Sequence, residues 1–188
     1  MKLLMTMLLF FTCLSPGVSH AWGEPDPITL AIPHFEQETS YWCWAALVQQ
    51  TIAWRNFGRP DQCQIVGMAN AAKEIQPFDC CTHKTDPGCN RPGNLPEIKA
   101  IIAAYGGRAE SVSPPNSPEE VYNYLMNQKA LICGIKYDAN NNHIYLVKGI
   151  YWTNGEAILV INDPATSAHR ELPFKEARPT WMETLAVE

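Results

Sequence analysis

Chemistry is concentrated in one short stretch, Gln37-Glu-Thr-Ser-Tyr-Trp-Cys43-Trp-Ala-Ala. A single cysteine stands between two tryptophans, where turn-forming residues give way to small helix formers. Thr39 and Ser40 are suitable N-caps, and the spacing predicts a helix from about residue 42 to 57, stopped at Gly58 with Pro60 just beyond. Cys43 then sits at a helix N-terminus, where unpaired N–H groups and the helix dipole favour a thiolate. Such a nucleophile needs a base. Four histidines lie beyond residue 21, at positions 34, 83, 143 and 169. Of these, His143 opens an apolar, β-branched run directly after an Asn-rich turn. An imidazole in turn needs an orienting group. Asn162-Asp163-Pro164 ends the next predicted strand, and an antiparallel hairpin brings the start of its first strand beside the end of its second. Asp163 is the expected partner and Asn162 the alternative. Adjacent strand residues face opposite ways, so only one of them can serve.

Each residue alone has an ordinary explanation. A cysteine on an apolar helix is commonly inert core, a histidine at a strand edge is commonly solvated, and Asn-Asp-Pro is a common turn. The ordered set Gln37, Cys43, His143, Asp163 points to thiol chemistry. With that set in place, the chain resembles the papain-like cysteine proteases, most closely the small bacterial AvrRpt2-like and C39-like peptidases. The resemblance rests on Gln37 with Cys43-Trp44-Ala45, on His143 in HIYLVKGI, and on Asp163 in VINDP. It implies a papain-like fold, with Cys43 as nucleophile and His143 as proton shuttle. It further implies Asp163 as orienter and Gln37 as an oxyanion donor, acting on a peptide or protein substrate with no cofactor. Two departures stand out. The Cys43-to-His143 span is shorter than in papain, and residues 22–36 are too few for a papain-type inhibitory pro-segment. Rival readings are a cell-wall amidase of the NlpC/P60 type, whose third residue is usually histidine, and an inactive papain-like binding module.

The first 21 residues have a basic start, an apolar run from Leu3 to Leu14 and Ser19-His20-Ala21. This is the layout of a secretory signal peptide, and the apolar run is short for a membrane span. Export to the periplasm or beyond is therefore expected, leaving residues 22–188 as one domain. That segment carries 13 basic and 19 acidic residues, a balance that argues against nucleic acid. A monomer without membrane attachment is expected.

An oxidising compartment makes disulfides the default for Cys63, Cys80, Cys81 and Cys89. Neighbouring Cys80 and Cys81 point apart, which leaves 63–80 with 81–89, or 63–81 with 80–89. A zinc site with His83 lacks a CxxC pair. Cys133, inside an apolar run, reads as a buried free thiol.

The elements that must hold these groups divide the chain. A short strand is expected at 28–33 and helices at 63–74, at 95–107 and from Ser117-Pro118 onward, with a loop at 76–94 between the second and third helices. From residue 130 the period changes to that of strands, at 130–137, 143–152 and 156–163, with one more near 169–174. The expectation is an α+β fold in which a buried Cys-bearing helix packs on an antiparallel sheet.

Overall fold

The computed structural model describes residues 24–136 and 142–188. The proposed signal segment, 1–21, and residues 138–141 of the expected Asn-rich turn lie outside the described residues.

A helical half precedes a sheet half, as the change of period requires. β1 is Ile28–Thr29, shorter than the expected strand. Three helices follow: α1 (Cys43–Trp54), α2 (Gln62–Ala72) and α3 (Leu95–Ala104). Then come β2 (Ala109–Val112), α4 (Pro118–Met126), β3 (Ala130–Lys136), β4 (Asn142–Thr153), β5 (Glu156–Asn162) and β6 (Arg170–Pro173). A one-turn α5 (Phe174–Ala177), a short 3-10 turn and β7 (Trp181–Val187) complete the chain. The strands form one antiparallel sheet in the order β2-β7-β3-β4-β5-β6, with β1 added along β4.

α1 is apolar on most faces, and Trp44, Leu47, Val48 and Ile52 are fully enclosed between the other helices and the sheet. Its start differs from expectation. The N-cap is Trp42, with no side-chain cap, and Thr39 and Ser40 lie in the turn before it. The helix ends at Trp54 rather than at Gly58, because Asn56 takes φ of 59° and breaks the repeat. α3 and α4 start as their sequences predict. Asn94 Oδ1 accepts from Glu97 N at 2.9 Å, and Ser117 Oγ accepts from Glu120 N at 3.3 Å.

The loop at 76–94 is stapled twice, by Cys63–Cys81 and Cys80–Cys89. This is one of the two pairings the spacing left open, and it occupies all four sulfurs that a zinc site would have used. The two tryptophans beside Cys43 fasten the loop to α1. Trp42 Nε1 donates to Cys89 O at 2.8 Å and Trp44 Nε1 to Arg91 O at 3.2 Å. Gly93 then passes so close to Trp44 that a Cβ would lie 2.4 Å from the ring. Cys133 is fully buried and free.

A loop of this length, closed by a disulfide, is stabilised by about 3 kcal/mol through lost unfolded-chain entropy. Replacing Cys80 and Cys89 together by Ser should lower stability by roughly that amount, read as a reduced denaturant midpoint. An unchanged midpoint would mean that the staple carries no stability.

Candidate active site

Cys43 is the first residue of α1, half-buried, with its free thiol in a cleft between the helical half and the sheet. The cleft has a volume of about 720 Å³, and Gln37, His143, Asp163 and Arg170 also line it. His143 stands near the start of β4. Its Nε2 donates to Asp163 Oδ1 at 2.7 Å, and the Cys43 side chain is hydrogen-bonded to the same ring. With Nε2 taken by the carboxylate, Nδ1 is the nitrogen left for sulfur. His143 and Asp163 thus meet across the β4–β5 hairpin, and Cys43 reaches the same ring from the start of α1.

One irregularity decides which residue of the Asn-Asp pair meets His143. β4 and β5 pair Gly149 with Val160 and Val147 with Ile161, leaving Lys148 as an extra residue in β4. Below this bulge Leu146 pairs with Asn162. The next step outward sets Asp163 beside Tyr145, on the face that carries His143. In an unbroken register, Asn162 would have taken that face. It is turned instead into the core, where its Nδ2 donates to Pro33 O at 3.1 Å and to Gln50 Oε1 at 3.0 Å. Gln50 Nε2 in turn donates to Phe35 O at 2.9 Å. Asn162 thus joins β5 to α1 and to the segment before the cleft.

Asp163 is held on all sides. Oδ1 also accepts from Ala165 N at 3.0 Å, and Oδ2 accepts from Arg170 NH1 at 2.8 Å. Arg170 was not anticipated from sequence. Its position, seven residues beyond Asp163 across a Pro-Ala-Thr-Ser turn, was the one available signal. His34 Nε2 and Thr166 O are 2.6 Å apart, and Gln37 N donates to Pro164 O at 2.9 Å. Residues 34–37 are thereby laced to the turn after Asp163. The Gln37 side chain lines the cleft, with its Nε2 donating to Thr39 O at 2.9 Å and to Ser40 O at 3.0 Å.

These contacts set the protonation states. Burial resists charging His143, but hydrogen bonds to Asp163 and Cys43, with their charges, outweigh it and push its pKa up from 6.5 to about 9. Burial likewise resists ionising Asp163. The hydrogen bond from His143, then Ala165 N, the His143 charge and Arg170 overcome that and bring it down to about 2. Imidazolium and carboxylate coexist across the neutral range.

Comparison with known proteins bears on the family and the fold. Residues 27–182 match the family described as papain-like cysteine protease AvrRpt2. No curated protein matches the chain. Among solved structures, it is similar to a double glycine motif protease from an AMS/PCAT transporter in complex with its leader peptide. That pair shares 17% identity over 86% of this chain and 96% of the other, with a TM-score of 0.55. The peptidase domain of Streptococcus ComA gives 13% identity, 82% and 96% coverage, and a TM-score of 0.56. Procathepsin L 3 of Tenebrio molitor gives 12% identity, 92% and 73% coverage, and 0.53. At these identities the structures speak to the fold, which is papain-like.

Two outcomes follow from the geometry. His143, raised when folded, contributes stability that is complete below about pH 6.5 and is lost as pH rises through about 9. Asp163, depressed when folded, contributes stability that is complete above about pH 3.8 and is lost as pH falls through about 2. In Asp163→Asn the alkaline loss should largely vanish from a pH series of denaturant midpoints; its persistence would show that the pair is not coupled. Asn162→Ala should cost about 2–4 kcal/mol in stability by taking the donor from Gln50 Oε1 and from the Pro33 carbonyl. A variant as stable as wild type would deny Asn162 its joining role. The family match over most of the chain, on a papain-like fold with a cysteine and a histidine meeting in its cleft, shows that this protein belongs to the AvrRpt2 family of papain-like cysteine proteases and is a cysteine peptidase.

Proposed function

We propose that this peptidase hydrolyses peptide bonds through a Cys43–His143–Asp163 triad and an acyl-enzyme. The observation that carries the reading is His143 held between Cys43 and the Asp163 carboxylate, 2.7 Å from the latter, inside the main cleft. Cys43 Sγ, as thiolate, attacks the scissile carbonyl, and His143, as imidazolium, gives its proton to the departing amine. Neutral His143 then takes a proton from water as the water attacks the thioester, and Cys43 leaves. Asp163 keeps the ring turned so that Nδ1 faces sulfur throughout. Arg170 and Ala165 N keep Asp163 in place and ionised.

The oxyanion forms beside the start of α1. The Cys43 N–H lies in the first turn, where no intrahelical acceptor exists. Gln37 is the second donor in this reading. It is supported by the lacing of its backbone to Pro164 at the cleft edge and by its place in the cleft lining. To serve, its amide exchanges one of its bonds to Thr39 O or Ser40 O for the oxyanion.

The substrate in this reading is a peptide or protein, taken by a monomer without cofactor or membrane attachment. No helix among the described residues is long and apolar enough to cross a membrane. Export through residues 1–21 is part of the proposal. Two disulfides fit it, since such bonds persist in oxidising compartments. Expression in a secreting host should release a chain beginning near residue 22, as read by N-terminal sequencing; retention of Met1 would remove the export reading.

Four variants test the mechanism on a peptide substrate. Cys43→Ala should abolish turnover with stability nearly unchanged. Asp163→Ala should lower kcat about ten-thousandfold if it acts as orienting carboxylates do elsewhere, whereas Asn162→Ala should act mainly through stability. Gln37→Ala should cut kcat about a hundred- to a thousandfold with little change in KM, while Cys43 still reacts with thiol reagents. Turnover in Cys43→Ala would end the mechanism, and a Gln37→Ala rate within a few-fold of wild type would make Gln37 a bystander. In wild type, the acylation rate should fall as pH rises through about 9, where His143 gives up its proton.

A further inference from the structure

The cleft holds one charged group that this chemistry does not use. Glu183 of β7 lines it together with Met182, Gly134 of β3 and Ile144 of β4. Gly134 is the cross-strand partner of Glu183, so the two share a face. The missing side chain at Gly134 gives Glu183 its berth. A Cβ there would lie 2.7 Å from Glu183 Cγ and 3.0 Å from Oε1. The carboxylate therefore rests across β3 at the cleft rather than standing clear of the sheet.

The other charges of the cleft are compensated. Asp163 sits between His143 and Arg170. Glu183, among the described residues, has no ion pair and no side-chain hydrogen bond. Lys136, two residues along β3 from Gly134, neither lines the cleft nor pairs with it. Glu183 is thus an exposed carboxyl group at the edge of the cleft, flanked by apolar surface from half-buried Ile144 and from Met182, 45% exposed. Apolar walls with a carboxylate beyond them suit a side chain that has a methylene stem and a cationic head.

We propose that Glu183 makes this part of the cleft a subsite for lysine or arginine, so that the enzyme prefers peptides carrying a basic residue at the position seated against β3 and β7. The proposal rests on the peptidase reading of Cys43 and names the substrate class of that same site. Glu183 is a specificity residue in it: it meets the substrate side chain and takes no part in bond making.

The test is a positional-scanning peptide library cleaved by the full chain and by Glu183→Gln and Glu183→Lys, with Cys43→Ala as control. Wild type should favour Lys or Arg at one position by about two- to fivefold in kcat/KM over a neutral residue of similar length, the size expected of a solvated ion pair. The preference should shrink in 0.5 M salt. Glu183→Gln should erase it, bringing kcat/KM on the basic peptides down to that on the neutral ones. Glu183→Lys should turn it toward Asp or Glu at the same position. Cleavage lost in Cys43→Ala but indifferent to basic residues at every position would overturn the subsite and leave the peptidase reading standing. A basic preference that survives Glu183→Gln would overturn it too. Equal cleavage by Cys43→Ala would instead bring down the reading on which the subsite depends.

Discussion

Lys148 is one residue more than the β4–β5 ladder can pair, and the site depends on where that surplus is absorbed. Side chains on a strand alternate with a period of two, so a shift of one residue exchanges the faces of everything beyond it. Above the bulge, Gly149 pairs with Val160; below it, Leu146 pairs with Asn162. The exchange sends the Asp163 carboxylate to His143 and the Asn162 amide into the core. Both consequences matter. One supplies the anion that charges the imidazole, and the other supplies the amide that ties the sheet to α1 through Gln50. The cysteine and the histidine belong to opposite halves of the molecule, so their meeting rests on that tie.

The helical side has its own constraint. α1 begins without a side-chain cap, and a helix start left loose would not hold a sulfur in register with a ring. The indoles of Trp42 and Trp44 take over that task by binding carbonyls of the stapled loop. This accounts for the odd setting of Cys43 between two tryptophans. The disulfides then act at a distance. They order an irregular segment rich in Pro, Gly and Asn, and that segment clamps the start of α1 and continues through Gly93 and Asn94 as one wall of the cleft.

Electrostatically the cleft has two parts. Around Cys43, the charges of His143, Asp163 and Arg170 are interlocked, and no single one is free to answer to substrate. Along β3 and β7, Glu183 is uncompensated among the described residues. Under the proposed mechanism and subsite, this separation would let one region hold the reacting groups in fixed protonation states while another discriminates among substrates, because an already paired ion gains little from a new partner.

Much of this architecture was legible without coordinates, for identifiable reasons. The helix starts at Leu95 and at Ser117-Pro118 are local events, set by side chains within three residues of the groups they satisfy; both lie where they were read, the Ser117 cap with its side chain as expected and the Asn94 cap seen only in the structure. The change of period near residue 130 reported the division into helices and sheet, because burial on one face imposes its repeat on the chain. Cys43, His143 and Asp163 could be named because thiol chemistry demands particular residue types, and Gln37 through the family resemblance; all four line the cleft. Other features were beyond local reading. The choice between Asp163 and Asn162 turned on a bulge, which is a property of two strands together. The disulfide pairing, the Trp–carbonyl ties and the Arg170 contact join residues whose proximity the fold creates. Sequence alone determined which groups were available for thiol chemistry and most of the segments that would be helix or strand, since those follow from side-chain chemistry and period; β2 and β7 carry no such signal and were not anticipated. Only the tertiary structure decided which of them face one another, since facing depends on register and packing between distant parts of the chain.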